Sequence, residues 1–98
     1  METIFLNNII ETSKSIPDAG KRLYDILEQP IKNGEDVTID VKDAAMSSVF
    51  LNTSIGPLIK DYGVAAVKNL TFRNITERQA KRLDEYIRYV VSLYRERQ

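Results

Sequence analysis

The stretch VTIDVKDAAMSSVFLNTSIGPLI, Val37 to Ile59, decides the fold. It opens on clean alternation: Val37, Ile39 and Val41 share one face of an extended chain, and Thr38, Asp40 and Lys42 the other. After the acidic end of that strand the period changes. Leu51, Ile55, Leu58 and Tyr62 recur at helical spacing, so a helix is predicted from Ser47 or Ser48 to about Tyr62. Two small hydroxyl residues stand at its mouth. A serine there accepts a hydrogen bond from an unsatisfied N–H of the first turn. The same geometry, with the positive end of the helix dipole, would also stabilise an added phosphate. Ser47 and Ser48 therefore fit a cap or a switch. Gly56-Pro57 falls inside the predicted helix, where proline costs roughly 3 kcal/mol and kinks it. Gly56 leaves room for a close neighbour, and a bend would raise residues 47–54 as a docking edge with Asn52 beside Phe50 and Leu51.

On the N-terminal side, Thr3 to Leu6 reads as a short strand, and Asn7 to Ser15 as either a hairpin extension or a loop. From Ser15 the pattern is helical. Pro17 suits a first turn and Asp18 sits near the positive end of the dipole. Ala19, Leu23, Ile26 and Leu27 form the apolar stripe, and Pro30 with Asn33-Gly34 ends it. On the C-terminal side, a strand is centred on Leu70 to Phe72. A long terminal helix begins at Thr76 and Gln79, which have capping-box spacing. The order β, α, β, α, β, α predicts one α/β domain over residues 1–98: a mainly parallel or mixed sheet of three to four strands, about three helices, and a long C-terminal helix. Ile39, Val41, Leu51, Ile55, Leu70, Phe72 and Leu83 are the expected core.

The chain of 98 residues has no cysteine and no histidine, which excludes a disulfide framework, thiolate chemistry and the usual neutral-pH proton shuttle. No Gly-rich phosphate loop or metal-ligand cluster is present, so no cofactor or metal is expected. Glu35, Asp36, Asp40 and Asp43 are the only grouped carboxylates near a strand end, and no nucleophile or base accompanies them; no catalytic residue is assigned. Net charge is zero, a poor match to nucleic-acid binding, though residues 1–46 carry −4 and residues 47–98 carry +4. No apolar run is long enough to span a membrane. The N-terminus has an acid where a secretory signal carries positive charge, so a cytoplasmic location is expected. The terminal helix has two apolar stripes, Leu83, Ile87, Val90, Tyr94 and then Tyr86, Tyr89, Leu93. One sheet contact covers an arc of limited width, so a homodimer or partner contact is expected there. Arg82, Arg88 and Arg95 beside the tyrosines are read as a solvated face rather than a base-stacking surface, given Asp84, Glu85 and Glu96 among them.

The run from Val37 to Ile59, with Phe50-Leu51-Asn52, Ile55-Gly56 and Leu58 as its most specific element, followed by LTFRN and the terminal helix, resembles the STAS-like family. These small bacterial and phage-associated domains are related in fold to the STAS anti-sigma-factor antagonists. The resemblance implies a non-enzymatic regulatory module that binds another protein. In the antagonists, a histidine-kinase-like ATPase phosphorylates a serine at the start of the helix after this strand. Counted from Asp40, Ser48 is the nearest match, with Ser47 next to it. No acid immediately precedes the serine pair and no glycine follows it. Ser47, Ser48, Phe50, Asn52 and Asp40 are thus the candidate switch or partner-docking residues. A structural, self-associating domain is the alternative, and nucleic-acid binding comes third.

Overall fold

In a computed structural model, the chain is described over residues 2–42 and 44–96, the side chains of residues 2, 95 and 96 excepted. The elements are β1 (Glu2–Phe5), α1 (Leu6–Glu11), α2 (Ile16–Lys32), β2 (Val37–Asp40), α3 (Ser48–Thr53), α4 (Ile55–Tyr62), α5 (Ala65–Lys68), β3 (Leu70–Arg73) and α6 (Glu77–Glu96). The three strands form a fully parallel sheet in the order β1-β2-β3. The expected α/β architecture and long C-terminal helix are present, with more helical segments than the three predicted.

The sheet explains why a parallel strand alternates so cleanly. Register places Ile4, Ile39 and Phe72 side by side, with Val37 beside Leu70 on the same face. Right-handed crossovers between neighbouring strands put both connections on one side of the sheet. The core lies there: Ile4, Val37, Ile39 and Leu70 join Leu23 and Leu27 of α2, Phe50, Leu51, Ile55 and Leu58 of α3 and α4, and Leu83 and Val90 of α6 in one cluster. The opposite face carries the rows Thr3, Thr38, Thr71 and Phe5, Asp40, Arg73. Phe5, Thr71 and Arg73 on it are exposed. Central parallel strands are usually buried on both faces, and β2 is too: Thr38 and Asp40 are 8 % and 7 % exposed, so its alternation is one of polarity rather than of burial. Six of the seven expected core residues are buried, and Phe72 packs against the cluster half-buried.

Helix α2 begins as read: the Ser15 Oγ accepts from the Asp18 N–H at 3.2 Å, with Pro17 in the first turn. Pro30 falls in its last turn, and Gly34, at φ 69°, takes the left-handed conformation that closes the helix. Of the ambiguous segment after β1, residues 12–15 are a loop and residues 7–11 belong to α1. Helix α1 buries Leu6 and Ile9, and Arg22 holds its end by donating to the Ile9 carbonyl and the Thr12 and Ser13 hydroxyls. Tyr24 donates to Asp61 and Tyr62 to Glu28, both at 2.5 Å, tying α2 to α4.

The predicted helix from Ser47 to Tyr62 is two helices. The break lies at Ser54, three residues before the proline, where the backbone turns to φ −125°, ψ −81°. Ser54 is fully buried, and its hydroxyl donates to the Phe50 carbonyl at 2.7 Å. Pro57 then becomes the third residue of α4, where no intrahelical N–H bond is lost. Breaking the helix removes the cost that a proline kink would have carried.

Candidate functional site

The connection between β2 and α3 is fastened at both ends. Asp40 ends the strand as an acceptor only. Its Oδ1 takes the Lys42 N–H at 3.0 Å, its Oδ2 takes Arg73 Nη2 at 2.9 Å, and Asn74 Nδ2 reaches both oxygens at 3.1–3.2 Å. Asn74 does so from the left-handed region at φ 58°, which asparagine tolerates better than most side chains. At the other end, Gln79 uses both halves of its amide. Oε1 accepts from the Thr76 N–H at 3.0 Å and Nε2 donates to the Ala44 carbonyl at 3.0 Å, while the Thr76 hydroxyl accepts from the Gln79 N–H at 3.1 Å. The capping box read from the sequence therefore starts α6 and also anchors the loop leading into α3.

These bonds define what Asp40 does. The Lys42 N–H, then the Asn74 amide and Arg73, outweigh partial burial and hold its carboxyl below the ordinary carboxylate value. Its folded value lies below its unfolded one, so the stabilisation is present above about pH 4 and is lost as pH falls through the folded value. Urea midpoints will hold steady from neutrality to about pH 5 and fall below about pH 4. Asp40→Asn will lower the neutral midpoint and shallow that acid decline; an unchanged acid limb would refute the clamp. Glu35 and Asp36 precede β2 and Asp40 ends it. At about 3.3 Å per residue they stand roughly 13 Å apart along the strand, too far to act as a carboxylate pair. Asp43, the remaining member of that group, lies outside the described residues.

The two serines divide the work. Ser47 is the cap: its Oγ accepts from the Phe50 N–H at 3.2 Å. Ser48 is the first helical residue, exposed, and its Oγ accepts from Arg82 Nη2 at 3.0 Å. One turn on, Asn52 Oδ1 accepts from the Tyr86 hydroxyl at 2.8 Å. Ser48 and Asn52 on α3 thus face Arg82 and Tyr86 on α6, each pair four residues apart. Gly56 continues the seam, since a Cβ there would meet the Tyr86 hydroxyl at 2.5 Å. Of the remaining candidates, Phe50 is 1 % exposed and belongs to the core, so its side chain does not reach a partner. Ser47→Ala will cost about 0.5–2 kcal/mol and lower the melting temperature by several degrees, whereas Ser48→Ala will stay within about 0.5 kcal/mol of the parent. Equal losses in the two melts would refute this division.

Beside Ser47 lies a cavity of about 360 Å³ between the loop, α3 and the first turns of α6. Met46, Leu51 and Leu83 line it, and Arg78 and Arg82 stand at it. Neither arginine forms an ion pair among the described residues. The sequence reading missed Arg78 and grouped Arg82 with the tyrosines further along. The signal was available: the capping box fixes the start of α6 and hence puts residues 78 and 82 on one face of its first two turns. The tyrosine stripe itself is divided. Tyr86 is committed to Asn52, while Tyr89 is 61 % exposed and Arg88 is paired with Asp84 at 2.9 Å.

The sequence pattern of the family described as STAS-like domain of unknown function (DUF4325) matches residues 19–80, from the first turn of α2 into the first turn of α6. The chain belongs to this STAS-like family. Neither the curated proteins nor the solved structures contain a match to it. The matched segment includes β2, the serine pair, the α3–α4 break and Arg78, whereas Arg82, Leu83 and Tyr86 of the site lie beyond its end. No helix among the described residues is long and apolar enough to cross a membrane, and no metal-holding cluster of carboxylates is found among them.

Proposed function

We propose that this STAS-like chain is a non-enzymatic regulatory module of the cytoplasm that binds another protein through the end of the domain formed by α3 and the start of α6. Its partner is of the histidine-kinase-like ATPase type, and Ser48 is the control point. One observation carries the reading: Ser47 does the capping, which leaves Ser48 exposed with its hydroxyl turned to Arg82. Phosphorylation would proceed by attack of the Ser48 Oγ on the γ-phosphorus of the partner's ATP, with ADP leaving and the hydroxyl proton passing to a base on the partner. The product carries a charge of about −1.5 to −2 at pH 7, and Arg82, which already donates to the Ser48 hydroxyl through Nη2, is at hand to pair with it. The test is capture from host lysate with the parent protein and with Ser48→Asp, identified by mass spectrometry, followed by phosphosite mapping after incubation with the captured protein and ATP. Capture of an ATPase of that type by the parent alone, with phosphate on Ser48, supports the reading. Equal capture by both proteins, or phosphate elsewhere, overturns the control by Ser48.

A second reading rests on the other end of α6. Tyr89 and Leu93 are exposed beside the groove that Pro57, Lys60 and Tyr94 line between α4 and α6. Self-association through this face predicts a dimer by light scattering at micromolar concentration, converted to monomer by Tyr89→Asp.

A further inference from the structure

The cavity beside Ser47 has an unusual make-up for a surface with no net charge. Its floor is hydrocarbon: Met46, Leu51 and Leu83 are 8 %, 2 % and 6 % exposed and present only apolar atoms. Its rim is cationic: Arg78 and Arg82 are exposed, one turn apart on α6, and among the described residues no carboxylate lines the cavity. An exposed surface arginine commonly finds an acidic neighbour, as Arg73 and Arg88 do here. Of the five N–H donors that each guanidinium carries, only Arg82 Nη2 is engaged among the described residues, by the Ser48 hydroxyl. The volume of about 360 Å³ is at the low end for a ligand pocket, enough for one bulky side chain. Methionine in the floor adapts to the shape of what enters.

We infer that this cavity is the recognition pocket for a linear segment of the partner in which an apolar side chain stands beside one or two carboxylates. The apolar side chain fills the Met46–Leu51–Leu83 floor, and the carboxylates take the free forks of Arg78 and Arg82 in bidentate pairs. The inference deepens the docking reading above and rests on it for the claim that a protein meets this end of the domain. It also supplies the link to Ser48. A phosphate on Ser48 competes for Arg82 with the partner's carboxylate, so modification and binding exclude one another at a single guanidinium. Nucleic acid is a poor fit, because no aromatic ring lines the cavity and two arginines make no track along a backbone. A free inorganic anion would leave the apolar floor unused.

The experiment is selection from a displayed library of random heptapeptides against the folded protein. The enriched peptides are then synthesised and titrated by calorimetry, and methyl NMR locates them. The expected result is enrichment of sequences with Asp or Glu within two positions of Leu, Ile, Met or Phe. These should shift the methyl resonances of Met46, Leu51 and Leu83. Their affinity should fall about tenfold or more with Arg82→Glu or Arg78→Glu, both surface changes whose melts verify folding. Replacing the peptide's acid by lysine should restore binding to the Arg82→Glu protein. Failure to enrich any peptide overturns the inference. So do enrichment without acids, affinity indifferent to both arginines, and shifts confined to the α4–α6 groove. Titration of Ser48→Asp separates the two readings. Acidic peptides that need the arginines but ignore Ser48→Asp uphold the pocket and refute control by Ser48. Peptides without acids that are lost on Ser48→Asp do the reverse.

Discussion

Phe50→Ala will destabilise the domain by about 3–5 kcal/mol. Phe50 is among the largest fully buried side chains, at 1 % exposure, and it sits in α3 where that helix packs on α2. Deleting the ring removes its transfer free energy and leaves a void that neighbours fill only in part. A domain of this size has a total stability of about 5–15 kcal/mol, so the loss is about a fifth or more of the whole. Val49, one residue earlier and 49 % exposed, is the control: Val49→Ala should stay within about 0.5 kcal/mol. Urea melts of the two variants check both numbers. They also decide what Phe50 is for. A docking residue would lose partner affinity at parental stability, and that outcome would refute its place in the core.

The contrast between positions 49 and 50 shows where reading the sequence succeeds and where it stops. The strand at Val37–Asp40 was legible because its two faces differ in polarity, Val37 and Ile39 on one and Thr38 and Asp40 on the other, although all four residues are buried. The start of α6 was legible because Thr76 and Gln79 act on each other's backbone within four residues. The burial of Phe50 was not. The expected stripe was Leu51, Ile55, Leu58 and Tyr62, but the buried face is wider and takes in Phe50, Ser54 and Ile59 as well, and the helix breaks at Ser54. That break depends on a hydroxyl bond made in the interior, which no local pattern reports. Helix α1 was missed for a related reason: it is six residues long, lacks a side-chain cap, and is held by Arg22 from the next helix. The candidate site was half legible. The serine pair follows from the strand-to-helix transition, but the division between Ser47 and Ser48 requires Arg82, thirty-four residues away.

Gly20, a buried residue of α2, carries the other large expected effect. In a solvent-facing helix position, Gly→Ala stabilises by about 1 kcal/mol, because glycine loses more backbone freedom on folding. At Gly20 the sign reverses. The glycine is buried where α2 meets α3, and a Cβ would fall on the Thr53 Oγ1, 2.7 Å from the Thr53 Cβ and 2.9 Å from the Phe50 carbonyl oxygen. Two of these atoms cannot swing away. The carbonyl is backbone that receives the Ser54 and Thr53 hydroxyls, and the Thr53 Cβ is fixed by its own helix. The helices must separate, and the core between them opens. Gly20→Ala is therefore expected to cost about 1–3 kcal/mol in spite of its helix propensity, and Gly20→Val more, with added crowding at a β-branched centre. The second-site variant Thr53→Ala removes the hydroxyl and the γ-methyl but keeps the Cβ and leaves the Phe50 carbonyl in place. It should return part of the loss in Gly20→Ala and not all of it. Thermal melts of the parent, both single variants and the double variant form a cycle in which the two substitutions are non-additive. Strict additivity, or a Gly20→Ala protein more stable than its parent, would mean that α2 and α3 do not approach as closely as the Gly20–Thr53 contact requires.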